Sequence, residues 1–181
     1  MTIALQHTDG STVDYLVMGL GWTPVTRRRL LSTRTAQVDL NAVALLYRDR
    51  TLADVVYHEH VSAADGAVRL HGDNLTGEGE GDDEIVSIEL ARLPGDITRI
   101  FLAVTCSVGE PADLREAYCR LLDAESGAEL IRYPLHDRSH AGLLMGMLVR
   151  VEPAWKFQQI AAPLAARHPV DVVPQLDRYL A

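Results

Sequence analysis

Short apolar runs of alternating character recur along the chain, and turn residues interrupt them about every 8–12 residues, the spacing of strands in an antiparallel sandwich or barrel. Residues 14–20 alternate and lead into Gly19-Leu20-Gly21-Trp22. Further runs lie at 38–47, 53–60, 68–71, 85–90 and 99–106, then at 118–123, 129–135, 143–152 and 155–160. Arg48-Asp49-Arg50, residues 62–66, and Leu93-Pro94-Gly95-Asp96 read as turns. Glu125-Ser126-Gly127 is a hairpin signal. Residues 23–36, with Pro24 and several arginines, read as a loop, and residues 111–116 hold a helical turn. No stretch before residue 161 has the length and period of a regular helix. The tail 161–180 has helical apolar spacing, but Pro163, Pro169 and Pro174 cut it into short pieces. Roughly nine short strands predict an all-β antiparallel β-sandwich with short helical segments near the C-terminus. No repeat or linker divides the chain. Its 181 residues suit one domain spanning 1–181, with enough material for a sizeable core.

One segment can join neither a strand core nor a helix. Residues 73–84 carry six carboxylates in twelve positions, with Gly77, Gly79 and Gly81 at alternate places and no Lys or Arg. Buried unpaired carboxylates are too costly for a core, and the glycines oppose a helix. Concentrated hard oxygens on a permissive backbone suit Ca²⁺ or Mg²⁺. A partner lies upstream in Gln37-Val38-Asp39-Leu40-Asn41. Alternation along a strand puts Gln37, Asp39 and Asn41 on one face and Val38 and Leu40 on the other. Asp39 and Asn41 offer oxygens from a fixed strand. Asp73, Asp82, Asp83 and Glu84 add carboxylates, and the backbone of 77–81 adds carbonyls. Ca²⁺ takes six to eight oxygens at about 2.3–2.6 Å in tolerant geometry, whereas Mg²⁺ keeps more water, so the pattern favours Ca²⁺. It does not fit an EF-hand, because Leu75 and Glu78 stand where that loop needs an oxygen ligand and a glycine. It is no phosphate loop either, since its charge repels phosphate and no lysine follows.

The run from Gly72 through Glu84, Gly-Asp-Asn-Leu-Thr-Gly-Glu-Gly-Glu-Gly-Asp-Asp-Glu, resembles the signature of the TerD family of tellurium-resistance and bacterial stress proteins. Gly19-Leu20-Gly21-Trp22, Asp39-Leu40-Asn41, Ala117-Tyr118 with Arg120, Ile131-Arg132-Tyr133 and Trp155-Lys156-Phe157 are similar to other segments of that family, and the likeness covers about residues 12–162. The resemblance implies a β-sandwich binding Ca²⁺ through the two acidic segments, associated with stress responses, tellurite resistance and phage resistance. By position it implies as ligands Asp39, Asn41, Asp73, Asn74, Asp82, Asp83 and Glu84, with Thr76, Gly77 and Gly79 contributing from the loop. It further implies a non-enzymatic module that works with other proteins of a stress-response complex. Where the family has three aspartates in Asp-x-Asp-Leu-Asp, this chain has Gln37, Asp39 and Asn41. Fewer charges predict weaker Ca²⁺ binding and the loss of one of two sites. The loop with Arg27, Arg28, Arg29 and Arg34 is also more basic than the family's connection, as in a specialised paralogue.

Other readings compete. The same carboxylates could hold catalytic metals in a phosphoester hydrolase, although no general base or basic phosphate clamp is evident. A scaffold with a degenerated site is the third reading. His58-Glu59-His60 places two imidazoles on one strand face, and His71 would be the nearest third zinc ligand. Against zinc stands a solvated strand. Asp137 with His136 and His140 reads as a polar loop. The net charge of −8 argues against a nucleic-acid surface, and three consecutive arginines without interleaved aromatics do not reverse it. No basic leader and no apolar run of spanning length is visible, which predicts a cytoplasmic protein without direct membrane insertion. Two cysteines, Cys106 and Cys119, make no disulfide framework and read as buried free thiols. Trp22 and Trp155 read as core residues.

Overall fold

The computed structural model describes residues 1–72, 81–135 and 140–181. Among them the chain forms fourteen strands: β1 (Thr2–Ala4), β2 (Tyr15–Pro24), β3 (Thr26–Arg29), β4 (Ser32–Thr35), β5 (Asp39–Arg48), β6 (Thr51–Val56), β7 (Ser62–Ala63), β8 (Val68–His71), β9 (Glu84–Glu89), β10 (Arg99–Val108), β11 (Leu114–Asp123), β12 (Glu129–Pro134), β13 (Gly142–Val151) and β14 (Ala154–Leu164). A first sheet has the order β1-β14-β13-β10-β5-β6. A second has the order β12-β11-β2-β9-β8-β7, and β3 and β4 form a separate hairpin. All these pairings are antiparallel.

The two sheets face each other across one apolar core. Leu16, Met18, Leu20 and Trp22 of β2, with Val86 and Ile88 of β9, meet Leu40, Ala42, Ala44 and Leu46 of β5 and Ile100 and Leu102 of β10. The first sheet is also covered on its outer face. Val43, Leu45 and Tyr47 of β5 and Phe101 and Ala103 of β10 pack with Val172, Leu176 and Leu180. Burial on both faces explains why β5 and β10 read as unbroken apolar runs while β9 and β11 alternate. The covering tail is cut as its prolines dictate, into a helix α1 (Pro169–Val172) and 3₁₀ turns at Val173–Gln175 and Asp177–Tyr179.

Two local expectations are corrected. Residues 23–36 are not simply a loop, because β3 and β4 pair from Thr26↔Thr35 to Arg29↔Ser32, with Leu30 and Leu31 fully exposed at the tip. Thr26, Thr33 and Thr35 favour an extended ladder, but with no apolar face the hairpin leaves no period to detect. The strand expected over 53–60 ends at Val56, and His58 and Glu59 form a turn closed by the Tyr57↔His60 bridge. His58 and His60 therefore do not share a strand face. His60 faces Asp54 at 3.1 Å, and His71 hydrogen-bonds Ser87 Oγ at 2.7 Å. Both tryptophans are buried, with Trp22 Nε1 donating to the Val38 carbonyl at 3.0 Å. Both cysteines are buried thiols outside any disulfide. No helix among the described residues is long and apolar enough to cross a membrane.

Candidate metal centre

Asp39 and Asn41 open β5 two residues apart on one face, and Thr105 of β10 lies opposite Asn41. Directly opposed residues of an antiparallel pair share a face, so the pleat gathers three oxygen-bearing side chains. Asn41 Nδ2 donates to Asp39 Oδ2 at 3.3 Å and to Ser107 Oγ at 3.1 Å, and Ser107 Oγ itself donates to Asp39 Oδ2. That leaves Asp39 Oδ1, Asn41 Oδ1 and Thr105 Oγ1 buried with no hydrogen-bond partner among the described residues. A buried polar atom left unsatisfied costs about 1–3 kcal/mol, and a hard cation is one group that removes that cost. Gln37 precedes β5 and is exposed.

The acidic triplet at the start of β9 is held at three different places. Glu84 is buried, and its Oε2 accepts the Ala42 amide of β5 at 2.7 Å. That bond crosses between the sheets one residue beyond Asn41, so the two acidic segments meet. Asp83 accepts the Trp22 amide at 2.8 Å, while its own amide donates to the Leu20 carbonyl at 2.7 Å. Asp82 turns to the outer face of the second sheet. Its Oδ1 accepts the Tyr118 hydroxyl at 2.9 Å, and its Oδ2 accepts Arg120 Nη2 at 2.8 Å, with Arg120 Nε at 3.0 and 3.2 Å from the two oxygens. Arg132 lies over the Tyr118 ring at 4.0 Å, and Glu129 joins Arg132 at 2.8 Å and Arg120 at 3.4 Å. The Asp82 carboxylate holds the Arg120 guanidinium above its ordinary value. Burial, reinforced by Asp82, raises the Tyr118 phenol.

Gly-Leu-Gly-Trp acquires a cause here. Leu20 and Trp22 face the core, and Gly19 and Gly21 face outward. A Cβ on Gly19 would lie 2.3 Å from Asp82 Oδ2, and one on Gly21 would lie 2.7 Å from the Tyr118 ring. The two glycines leave the space that the Asp82 cluster occupies.

Of the residues expected at the site, Asp39 and Asn41 share one face at the start of β5, Glu84 reaches the Ala42 amide next along the strand, Asp83 bonds to β2, and Asp82 sits on the outer face of the second sheet. Asp73, Asn74, Thr76, Gly77 and Gly79 lie outside the described residues, as do His136 and Asp137. Thr105, Ser107, Tyr118 and Arg120 were not singled out as functional from sequence. The first two sit in an apolar strand with no acidic neighbours to mark them. The last two were visible only as family wording. A separate grouping joins His7 to Asp123 and Glu125, with each ring nitrogen 3.4 Å from a different carboxylate. Asp123 there already accepts the Ser126 hydroxyl and the Glu125 amide, so the arrangement clasps the β11–β12 turn.

The sequence and the fold have counterparts in known proteins. The TerD domain family model matches residues 1–167. The chain is 34% identical over 163 residues to tellurium resistance protein TerZ of Serratia marcescens, spanning 86% of this chain and 83% of that protein. It is 34% identical over 169 residues to tellurium resistance protein TerD of an Alcaligenes species, spanning 87% and 84%. Stress response protein SCP2 of Bacillus subtilis (strain 168) is 30% identical over 161 residues, with 80% of each chain covered. In structure, the chain is similar to a homologue of telluride resistance protein (TerD) from Streptomyces coelicolor A3(2). The TM-score is 0.74 over 88% of this chain and 95% of that one, at 19% identity, a likeness of fold. The chain belongs to the TerD family of tellurium-resistance and stress-response proteins.

Proposed function

We propose that the protein is a non-enzymatic Ca²⁺-binding module of a stress response of the kind its relatives are named for. The observation that carries this reading is the buried pair Asp39 Oδ1 and Asn41 Oδ1, unpartnered among the described residues beside the Glu84–Ala42 link. The donors are all oxygens, which fits a hard cation and not zinc. In this reading Asp39 and Asn41 supply side-chain oxygens from the rigid strand, and the 73–84 segment supplies the remainder. The ion neutralises carboxylates that otherwise repel one another and joins the two acidic segments. The surface so formed recruits another protein of a stress-response complex. Asp83 and Glu84 are each already hydrogen-bonded by the protein, which supports a structural ion over a catalytic metal with exchangeable positions. Gln37 and Asn41, amides in place of carboxylates, reduce the charge at the strand side, so affinity is lower than in a relative with three aspartates there, and a single ion is held tightly.

Thermal melts and calorimetry on chelator-stripped protein test the proposal. Ca²⁺ raises the melting temperature, because a ligand that binds only the folded state stabilises it by mass action, and Mg²⁺ raises it less. One tight site appears on titration. No shift at millimolar Ca²⁺ would refute the reading, and two equally tight sites would refute its account of Asn41.

A further inference from the structure

We infer that Asp82 is the fixed tether of the acidic segment and not one of its metal ligands, with Tyr118 and Arg120 as positioning residues for the proposed centre. The inference rests on the Ca²⁺ reading only for what the tether serves, since the tether itself is a contact within the protein.

Three observations converge on it. Both Asp82 oxygens are taken by a guanidinium fork and a phenol at 2.8–3.2 Å, and the side chain is 6% exposed. An arginine fork on a carboxylate is the strong, directional form of ion pair. A dication on the same oxygens would face the Arg120 charge at contact range. Next, the space is built for the pair, because Gly19 and Gly21 lack the Cβ atoms that would collide with Asp82 and Tyr118. Last, Arg120 is itself held in place. Glu129 bridges Arg120 and Arg132, and Arg132 lies on the Tyr118 ring. Asp83 and Glu84 bond to backbone amides of β2 and β5, and Asp82 bonds to charged and aromatic side chains of the outer face. The C-terminal stem of the acidic segment is therefore pinned before any ion arrives. Fixing Asp82 also fixes its neighbours Asp83 and Glu84, so their carboxylates are preorganised without metal.

The experiment compares Asp82→Asn, Arg120→Ala, the double variant and Tyr118→Phe with Asp39→Asn, in chelator and in a Ca²⁺ titration. A tether works without metal, so Asp82→Asn and Arg120→Ala lower the chelator melting temperature by several degrees, and the double variant loses little more than either alone. Tyr118→Phe, which keeps the ring under Arg132, loses less and guards against a variant that does not fold. Ca²⁺ stoichiometry is retained in all of them, with affinity reduced by less than tenfold. Asp39→Asn does the opposite: its chelator melting temperature holds or rises as repulsion falls, and the Ca²⁺ shift disappears. Asp82→Asn with unchanged metal-free stability and a lost Ca²⁺ equivalent would overturn the inference, as would additive losses in the double variant. If the parent protein shows no Ca²⁺ shift, the Ca²⁺ reading fails, and the chelator melts still decide the tether.

Discussion

Gly19 and Gly21 stand on the outer face of β2, and their absent side chains make room for residues about sixty and a hundred positions downstream. Restoring one methyl tests that space. Gly19→Ala needs no unusual backbone, but its Cβ would lie 2.3 Å from Asp82 Oδ2, and Asp82 cannot retreat without leaving Arg120. Overpacking of this kind costs about 1–3 kcal/mol, and a chelator-phase urea titration of the alanine variant measures it. At Gly95, where a Cβ would meet nothing within 4 Å, the same substitution leaves that midpoint nearly unchanged. Gly-Leu-Gly-Trp was legible as wording, but its cause was not, because the contact joins residues whose separation in sequence carries no signal. Asp39 and Asn41 were legible because alternation alone places them on one face. Thr105 and Ser107 were not, since a lone hydroxyl in an apolar run looks like any half-buried strand residue. The thiols were legible from their apolar surroundings. Burial pushes Cys106 up to about 11, and its Sγ–H donates to the Val108 carbonyl at 3.2 Å.

At the scale of elements, the first sheet depends on a segment with little regular structure of its own. The tail contributes Val172, Leu176 and Leu180 to the outer core with Tyr47 and Phe101, whose rings meet edge to face at 5.4 Å. Leu176 is fully buried there, so Leu176→Ala costs about 2–5 kcal/mol through lost burial and the cavity left behind, read as a lowered urea midpoint. The Ca²⁺ shift is unchanged, because the substitution is remote from the start of β9. A Ca²⁺ shift lost together with stability would show that the tail supports the metal centre. The strands that sequence located, β2, β5, β6 and β8 to β14, each show alternation or a short apolar run. The strands it missed are β1 and β7, of three and two residues, too short for any period, and the β3–β4 hairpin, which has no buried face. His58 and His60 were misplaced for a related reason. An apolar run fixes where a strand is but not where pairing stops, and β6 ends at the Ala44↔Val56 pair although β5 extends to Asp39.

Across the whole molecule, two of the carboxyls held below their ordinary values, Glu129 and Asp123, lie at the β11–β12 edge of the second sheet. Hydrogen bonds from Arg132, aided by Arg120, hold the Glu129 carboxyl on β12 below its ordinary 4.5. Burial pushes Asp123 upward at the end of β11, but the Ser126 hydroxyl and the amides of Glu125 and Ser126 outweigh it and leave that carboxyl below 3.8. Asp9, in the turn before β2, is lowered by hydrogen bonds from Ser11. A carboxyl whose folded value is depressed contributes stability that is complete above its unfolded value and is lost as pH falls through the folded one. Stability is therefore at its plateau, as far as these groups act, above about 4.5 for Glu129, and declines on acidification below it. The decline begins on the β11–β12 edge, where Glu129 and Asp123 sit. The first sheet, packed on both faces by apolar side chains, carries none of these three groups. Glu129→Gln makes the argument quantitative. The gap in melting temperature between it and the parent is widest above pH 4.5 and closes as pH falls below that value, because the parent then loses the same interaction by protonation. Amide exchange in the acid range follows the same geography, with protection in β11 and β12 falling before that in β5 and β10. A gap that stays constant with pH, or protection lost first in β5 and β10, would place the acid-sensitive element elsewhere in the sandwich.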